Sequence, residues 1–277
     1  MTAADRARTK LPYRIEGNPR GPALVLLNGL FADYTSWDGA MAHLEDYHVL
    51  RYDGRGQGDA PKPPGPYGPE VLVADLKDLL DALDWPPTAL LGISNGGRLA
   101  LAFAAAFPER VRAVVAVGCY AAPNRLLRLK LSSWLAAHRV GGPEHRFDVA
   151  APWIWSEAAL SLGKDLVQMY RKRAALLDPI AVEGLIEGAM CGDVDLTSIQ
   201  APTLLAAGED DLLTPPAGHR DLAAMLAHGH FATLPGAHAG LLERPDLVPE
   251  HILPFLSAHC TAREETTTAR GDTCHVG

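Results

Sequence analysis

Short apolar runs and amphipathic helical patterns alternate along this chain, and that alternation restricts the fold more than any other feature of its sequence. Strands are expected at Ala23 to Leu27, Val49 to Tyr52, Ala89 to Ile93, Val111 to Val117, Thr203 to Ala207 and Phe231 to Leu234. The first of these is apolar throughout, the pattern of a strand covered on both faces. Between strands, Leu72, Leu76, Leu79, Leu80 and Leu83 fall on one face of a helix, with Asp75, Lys77, Asp78 and Asp81 opposite. A nearly all-apolar helix follows through Ala100 to Phe107 and stops at Pro108. Such an order predicts an α/β protein with a mostly parallel sheet flanked by helices.

The alternation breaks once. Residues 123–193 carry helical patterns, among them Leu127, Leu131, Trp134 and Leu135 and then Trp155 to Leu177, and no strand. An insertion of that length between two strands is expected to form a helical lid over a core made of residues 11–122 and 194–258. The polar, Thr-rich residues 261–277 are expected to be a disordered tail.

Composition excludes several classes. The net charge of −8, from 25 basic and 33 acidic residues, argues against nucleic acid as a partner. No stretch reaches the roughly 18 apolar residues of a membrane span. The first residues are charged but lack an apolar core after them, so they do not read as a signal peptide. Cys119, Cys191, Cys260 and Cys274 are scattered, without metal or disulfide-framework spacing. A reduced, cytoplasmic protein without metal or organic cofactor is the expectation.

Gly92-Ile93-Ser94-Asn95-Gly96 stands where the strand Ala89 to Ile93 gives way to a helix. A serine at such a junction occupies a tight bend in which only residues without a β-carbon fit two positions to either side. The bend lifts the hydroxyl above the sheet edge. A serine hydroxyl needs a base to become a nucleophile. Of eleven histidines, His238 lies just beyond the strand Phe231 to Leu234, at the carboxyl edge where sites of open α/β sheets gather. The base needs an acid to fix its tautomer, and Asp210 and Asp211 both follow the strand Thr203 to Ala207 at that edge.

With these residues the chain resembles the α/β-hydrolase superfamily over roughly residues 11 to 258. Gly92-Ile93-Ser94-Asn95-Gly96, Gly208-Glu209-Asp210-Asp211 and Pro235-Gly236-Ala237-His238 before Glu243-Arg244-Pro245 carry the likeness, as does Asp53-Gly54-Arg55-Gly56. The order Ser94, Asp211, His238 is the family's order. Its G-x-x-D pattern selects Asp211, leaving Asp210 as a turn residue. The resemblance implies an oxyanion hole made by the N–H groups of Asn95 and Leu30. It also implies that Asp53 and Arg55 tie loops together near the floor of the site. Most relatives carry His-Gly where this chain has Asn28-Gly29; an Asn amide can replace the hydrogen bonds of that histidine. The serine argues against the dehalogenase and epoxide-hydrolase branches, which carry aspartate in its place.

Leu27-Asn28-Gly29-Leu30, His48 to Gly56, Pro64-Gly65-Pro66-Tyr67 and Ala237-His238 are most similar to the 3-oxoadipate enol-lactonase-like branch. A serine hydrolase acting on a small ester, lactone or thioester is the expected function. An acyltransferase or thioesterase with the same triad, or a slow-turnover ligand-binding regulator of the same fold, are the alternatives. From Asn124 to Asp178 nine basic residues face five acidic ones, a surplus that could steer an anionic substrate.

Overall fold

The computed structural model describes residues 11–161 and 164–260, so the expected tail lies outside the described residues. Seven strands form one sheet: β1 (Tyr13–Gly17), β2 (Ala23–Leu27), β3 (His48–Tyr52), β4 (Thr88–Ile93), β5 (Val111–Val117), β6 (Thr203–Gly208) and β7 (Gly229–Leu234). Their order across the sheet is β1-β3-β2-β4-β5-β6-β7, and every neighbouring pair is parallel except β1 with β3. The fold is that of an α/β protein with helices on both faces of this sheet.

Strand β1 escapes a reading of the sequence because it is an edge strand. Tyr13 and Ile15 are exposed, so Tyr-Arg-Ile-Glu-Gly offers no buried run to recognise. Its pairing is reinforced by the Glu16 carboxylate, which accepts from Arg51 on β3.

Helices α1 (Pro69–Ala82) and α2 (Asn95–Ala106) follow β3 and β4; α3 (Arg125–Ile154), α4 (Glu157–Ser161), α5 (Lys164–Ala175) and α6 (Pro179–Ala189) fill the connection from β5 to β6; α7 (Pro216–Met225) and α8 (Leu253–His259) complete the chain. Strand side chains alternate between two layers. Val25 and Leu27 pack with Leu76 and Leu80 of α1 and with Leu101 and Phe103 of α2. Leu24 and Leu26 pack on the opposite face with Trp37, Leu44, Ile252 and Leu256. Each such fully buried leucine stabilises the fold by about 1.5–3 kcal/mol over an exposed one. Because α2 is packed between the sheet and its neighbours, it must be apolar nearly all round.

The insertion is helical, but its helices break at places the periodicity does not show. Helix α3 is two helices joined at Gly142, whose φ of 76° and ψ of −171° are not helical. Trp155 is extended and closes α3, and the Ser156 hydroxyl accepts the Ala159 N–H to begin α4. Polar contacts tie the insertion to the core. Arg98 of α2 is 1% exposed and donates to the carbonyls of Ala189, Cys191 and Gly192 at the end of α6. There a cation also meets the negative end of the helix dipole. Lys130 of α3 donates to the carbonyls of Leu212 and Leu213. Glu243 accepts from both the N–H and the hydroxyl of Ser156. Among the described residues no helix is long and apolar enough to cross a membrane.

Candidate active site

Ser94 sits between β4 and α2 with φ 56° and ψ −120°, a left-handed conformation that is strained for a residue with a β-carbon. Close backbone packing enforces the glycines around it. A β-carbon on Gly92 would lie 2.3 Å from the Gly96 carbonyl oxygen, and one on Gly96 would lie 2.2 Å from that of Leu27. The sharp bend is therefore held by contacts from both sides, and the Ser94 N–H donates to the Val117 carbonyl on β5 at 2.7 Å.

Asp211 and His238 come together at the carboxyl edges of β6 and β7. His238 Nδ1 lies 2.8 Å from Asp211 Oδ2, and both side chains are buried. The Asp211 carboxylate is fully occupied: the N–H groups of Leu213 and Thr214 donate to Oδ1 at 2.9 and 2.8 Å, and the Thr214 hydroxyl donates to Oδ2 at 3.0 Å. Burial pushes this carboxyl up, but the charge and hydrogen bond of His238, with the bonds from Thr214, outweigh it and hold the pKa below its usual value. Asp211 is thus an anion that accepts the Nδ1–H of His238, which leaves Nε2 as the free nitrogen of the ring. Asp210 is exposed in the turn.

Ser94 and His238 line one cavity, together with Leu30. No hydrogen bond joins the Ser94 hydroxyl to His238 among the described residues; the structure brings them to the same wall. Asn95 is the first residue of α2, so its N–H has no acceptor within the helix. No protein group among the described residues accepts from the Leu30 N–H. Two backbone donors near Ser94 are therefore unclaimed.

The loop that carries Leu30 is fixed through Asn28. Its amide donates to the Tyr52 carbonyl at 2.8 Å, and its carbonyl oxygen accepts from the Trp37 indole at 2.9 Å. Gln57 donates to the Gly29 carbonyl at 2.7 Å. The Asp53 carboxylate accepts from the N–H groups of Tyr34 and Asp59, and Arg55 makes a two-pronged buried pair with Asp75 at 2.7 and 2.6 Å. Asp53 thus holds loop backbone together, whereas Arg55 ties its loop to helix α1 rather than to another loop.

The cavity measures about 120 Å³ and is mostly apolar. Trp134 and Trp155 are among its walls, whereas Trp153 lies under the ammonium of Lys130, 4.7 Å from the ring centre. Among the described residues no group of three or more His, Cys, Asp or Glu could hold a metal ion.

Several residues around the site are not legible in the sequence. Thr214 supports Asp211 through its hydroxyl. His219 backs the pair: its Nε2 accepts the Cys119 N–H at 2.7 Å, so its Nδ1–H is left to donate to the Pro215 carbonyl. Arg146 lines the cavity with its guanidinium over the Phe31 ring, and its Nε and Nη2 have no hydrogen-bond partner among the described residues. The sequence offered Arg146 only as one of nine basic residues in the insertion, and nothing distinguished it.

Residues 22–139 match the family described as alpha/beta hydrolase fold. The chain is similar to 3-oxoadipate enol-lactonase 2 of Acinetobacter baylyi, 28% identical over 88% of this chain and 91% of the relative. It is 30% identical to a proposed carbamate hydrolase, RutD, of Pseudomonas savastanoi pv. phaseolicola, over 86% of this chain and 94% of that protein. Among solved structures, the enol-lactonase from Burkholderia xenovorans LB400 superposes with a TM-score of 0.83 at 28% identity, covering 90% of this chain and 97% of the other.

Proposed function

Given that the chain belongs to the α/β-hydrolase superfamily, in its enol-lactonase-like branch, and is a hydrolase, we propose that it cleaves a carboxylic ester or lactone by two-step acyl transfer through Ser94. The observation that carries this reading is the buried Asp211–His238 pair at 2.8 Å, opening onto the cavity wall that holds Ser94 on its strained bend.

In the first step His238 Nε2 takes the proton of the Ser94 hydroxyl as the oxygen bonds to the substrate carbonyl carbon. The N–H groups of Leu30 and Asn95 receive the oxyanion, each donor contributing about 3 kcal/mol to lowering the barrier. The C–O bond to the leaving group then breaks, and the protonated His238 returns its proton to that oxygen. In a lactone the leaving oxygen stays attached to the acyl chain. Water, deprotonated by His238, attacks the acyl-enzyme, and the proton passes back to Ser94 as the acid leaves. Asp211 holds the ring in the tautomer that keeps Nε2 basic and stabilises the imidazolium. The helices of residues 123–193 act as the lid that closes the cavity from above. Relatives named for lactone and carbamate hydrolysis support a carbonyl carbon bearing a heteroatom as the centre attacked.

Intact mass after exposure to a fluorophosphonate tests the reading. One adduct on the wild type and none on folded Ser94→Ala is expected, with turnover of simple esters lost in the same variant. A folded wild type that takes up no adduct would sink Ser94 as an activated nucleophile. An alcohol or thiol acceptor that raises turnover would point instead to acyl transfer.

A further inference from the structure

Leu127, Leu131 and Trp134 of α3 form one buried cluster with Leu213, which comes from the loop after β6. Lys130 falls on the same helix face by its spacing, and it is only 7% exposed. A lysine in an apolar stripe is destabilising unless its ammonium finds partners. Lys130 finds the carbonyls of Leu212 and Leu213, the second at 3.3 Å, and the Trp153 ring 4.7 Å away.

Both carbonyls belong to peptide groups whose other ends are already engaged. The Leu212 carbonyl shares a peptide group with the Leu213 N–H, and the Leu213 carbonyl shares one with the Thr214 N–H. Those two N–H groups donate to Asp211 Oδ1, at 2.9 and 2.8 Å. A cation at the oxygen end of a peptide group and an anion at its N–H end polarise it, and both hydrogen bonds strengthen. Here that arrangement occurs twice in parallel, between one ammonium and one carboxylate oxygen. The two charges sense each other: burial lowers the Lys130 pKa, and the Asp211 carboxylate opposes the shift.

We propose that Lys130 is a positioning residue, which holds these two peptide groups and through them aims the Asp211 carboxylate at His238. This rests on the reading of Ser94 as nucleophile and His238 as its base. Lys130 belongs to the insertion and Asp211 to the core, so the insertion helps to align the base besides covering the cavity. Without the ammonium both peptide groups are free to turn, and Asp211 loses the donors that fix its plane. Lys130 is not among the residues that line the cavity, so its loss should act on kcat rather than on KM.

The test replaces Lys130 by Met, which removes the donors, and by Arg, which restores a cation. Turnover of 4-nitrophenyl acetate gives kcat and KM. The His238 Nδ1–H resonance, at the low-field end of the proton spectrum and absent in His238→Gln, reports the bond to Asp211. In Lys130→Met kcat should fall about ten- to a hundredfold with KM within about twofold, a smaller loss than removal of the acid itself. The resonance should move upfield and broaden by exchange, and Lys130→Arg should recover part of both effects. Should Lys130→Met not fold, Lys130→Gln, with a neutral donor, carries the same two readouts. A lysine with a merely structural role would lower the melting temperature and leave kcat of the folded protein and the resonance unchanged. That result, with Ser94-dependent turnover intact, would overturn the proposal and leave the nucleophile in place. A resonance that shifts in Lys130→Met, in a protein whose Ser94 takes up no fluorophosphonate, would support Lys130 and fail Ser94.

Discussion

The Glu243 carboxylate accepts two hydrogen bonds from Ser156, the N–H at 2.9 Å and the hydroxyl at 2.5 Å. Ser156 starts α4 in the insertion, and Glu243 stands five residues beyond His238. The Ala239 N–H also donates to the Ile154 carbonyl at 2.9 Å. The loop bearing the proposed base is thus fastened to the helices that cover it. Glu243→Ala removes both bonds to a charged group and should cost about 2 kcal/mol, lowering the melting temperature by roughly 5 °C. Hydrogen exchange should quicken in residues 154–160 and 238–243 together. Exchange that changes in only one of the two segments would show that they are not coupled.

Asp211→Asn keeps the shape of the site and changes its proton logic. The substituted amide cannot use its NH₂ to accept the Nδ1–H of His238, so the ring is driven to the tautomer with hydrogen on Nε2, which is no base. A fall in kcat of about 10³–10⁴ is expected, with the fold retained by circular dichroism. Because Asp211 is held ionised below the ordinary carboxylate range, the acid limb of the wild-type pH–rate profile should not report its titration. A kcat within tenfold of wild type would remove Asp211 from the mechanism.

Gly96→Ala tests whether the bend at Ser94 is held by packing. The new methyl carbon would meet the Leu27 carbonyl oxygen at 2.2 Å, and both groups belong to backbone that cannot swing away. A loss of about 4 kcal/mol in unfolding free energy is expected. Fluorophosphonate labelling of whatever folded protein remains should slow, since relief of the clash must shift Ser94. A variant as stable as wild type would mean that the β4–α2 junction is softer than this packing implies.

The parts that were legible in the sequence are those where local pattern and environment agree. Strands β2, β4, β5 and β6 are covered on both faces, so their apolar runs announce them, and the serine between Gly92 and Gly96 marks the turn through sterics alone. Strand β1 is hidden because its side chains face solvent at the sheet edge. The division of α3 at Gly142 is hidden because Gly141-Gly142-Pro143 breaks the helix while the apolar pattern continues on both sides. Choosing Asp211 over its neighbour needed a family likeness; the distance to His238 then distinguishes them physically. Arg146 could not be singled out at all. Its character lies in the lack of an acidic partner among the described residues, which depends on where Glu144, Asp148, Glu183 and Glu187 direct their charges in three dimensions.

His219 should make stability fall with acid in a defined window. Burial lowers the pKa of this imidazole, opposed by its bond to the Pro215 carbonyl and the charge of Asp211. Its Nε2 already accepts the Cys119 N–H, so protonation would also break that bond. Above the unfolded value of about 6.5 both states are neutral and the contribution is fully present. As pH falls below it the unfolded chain takes up a proton that the folded protein refuses. Stability then declines by up to about 1.4 kcal/mol per pH unit until the lowered folded pKa is reached. Denaturant unfolding of the wild type and His219→Gln between pH 7.5 and 5 measures this. The amide of the variant does not titrate, so the difference in unfolding free energy between the two proteins should shrink as the pH drops. A difference that stays constant across that range would show that the folded protein protonates His219 as readily as the unfolded chain does.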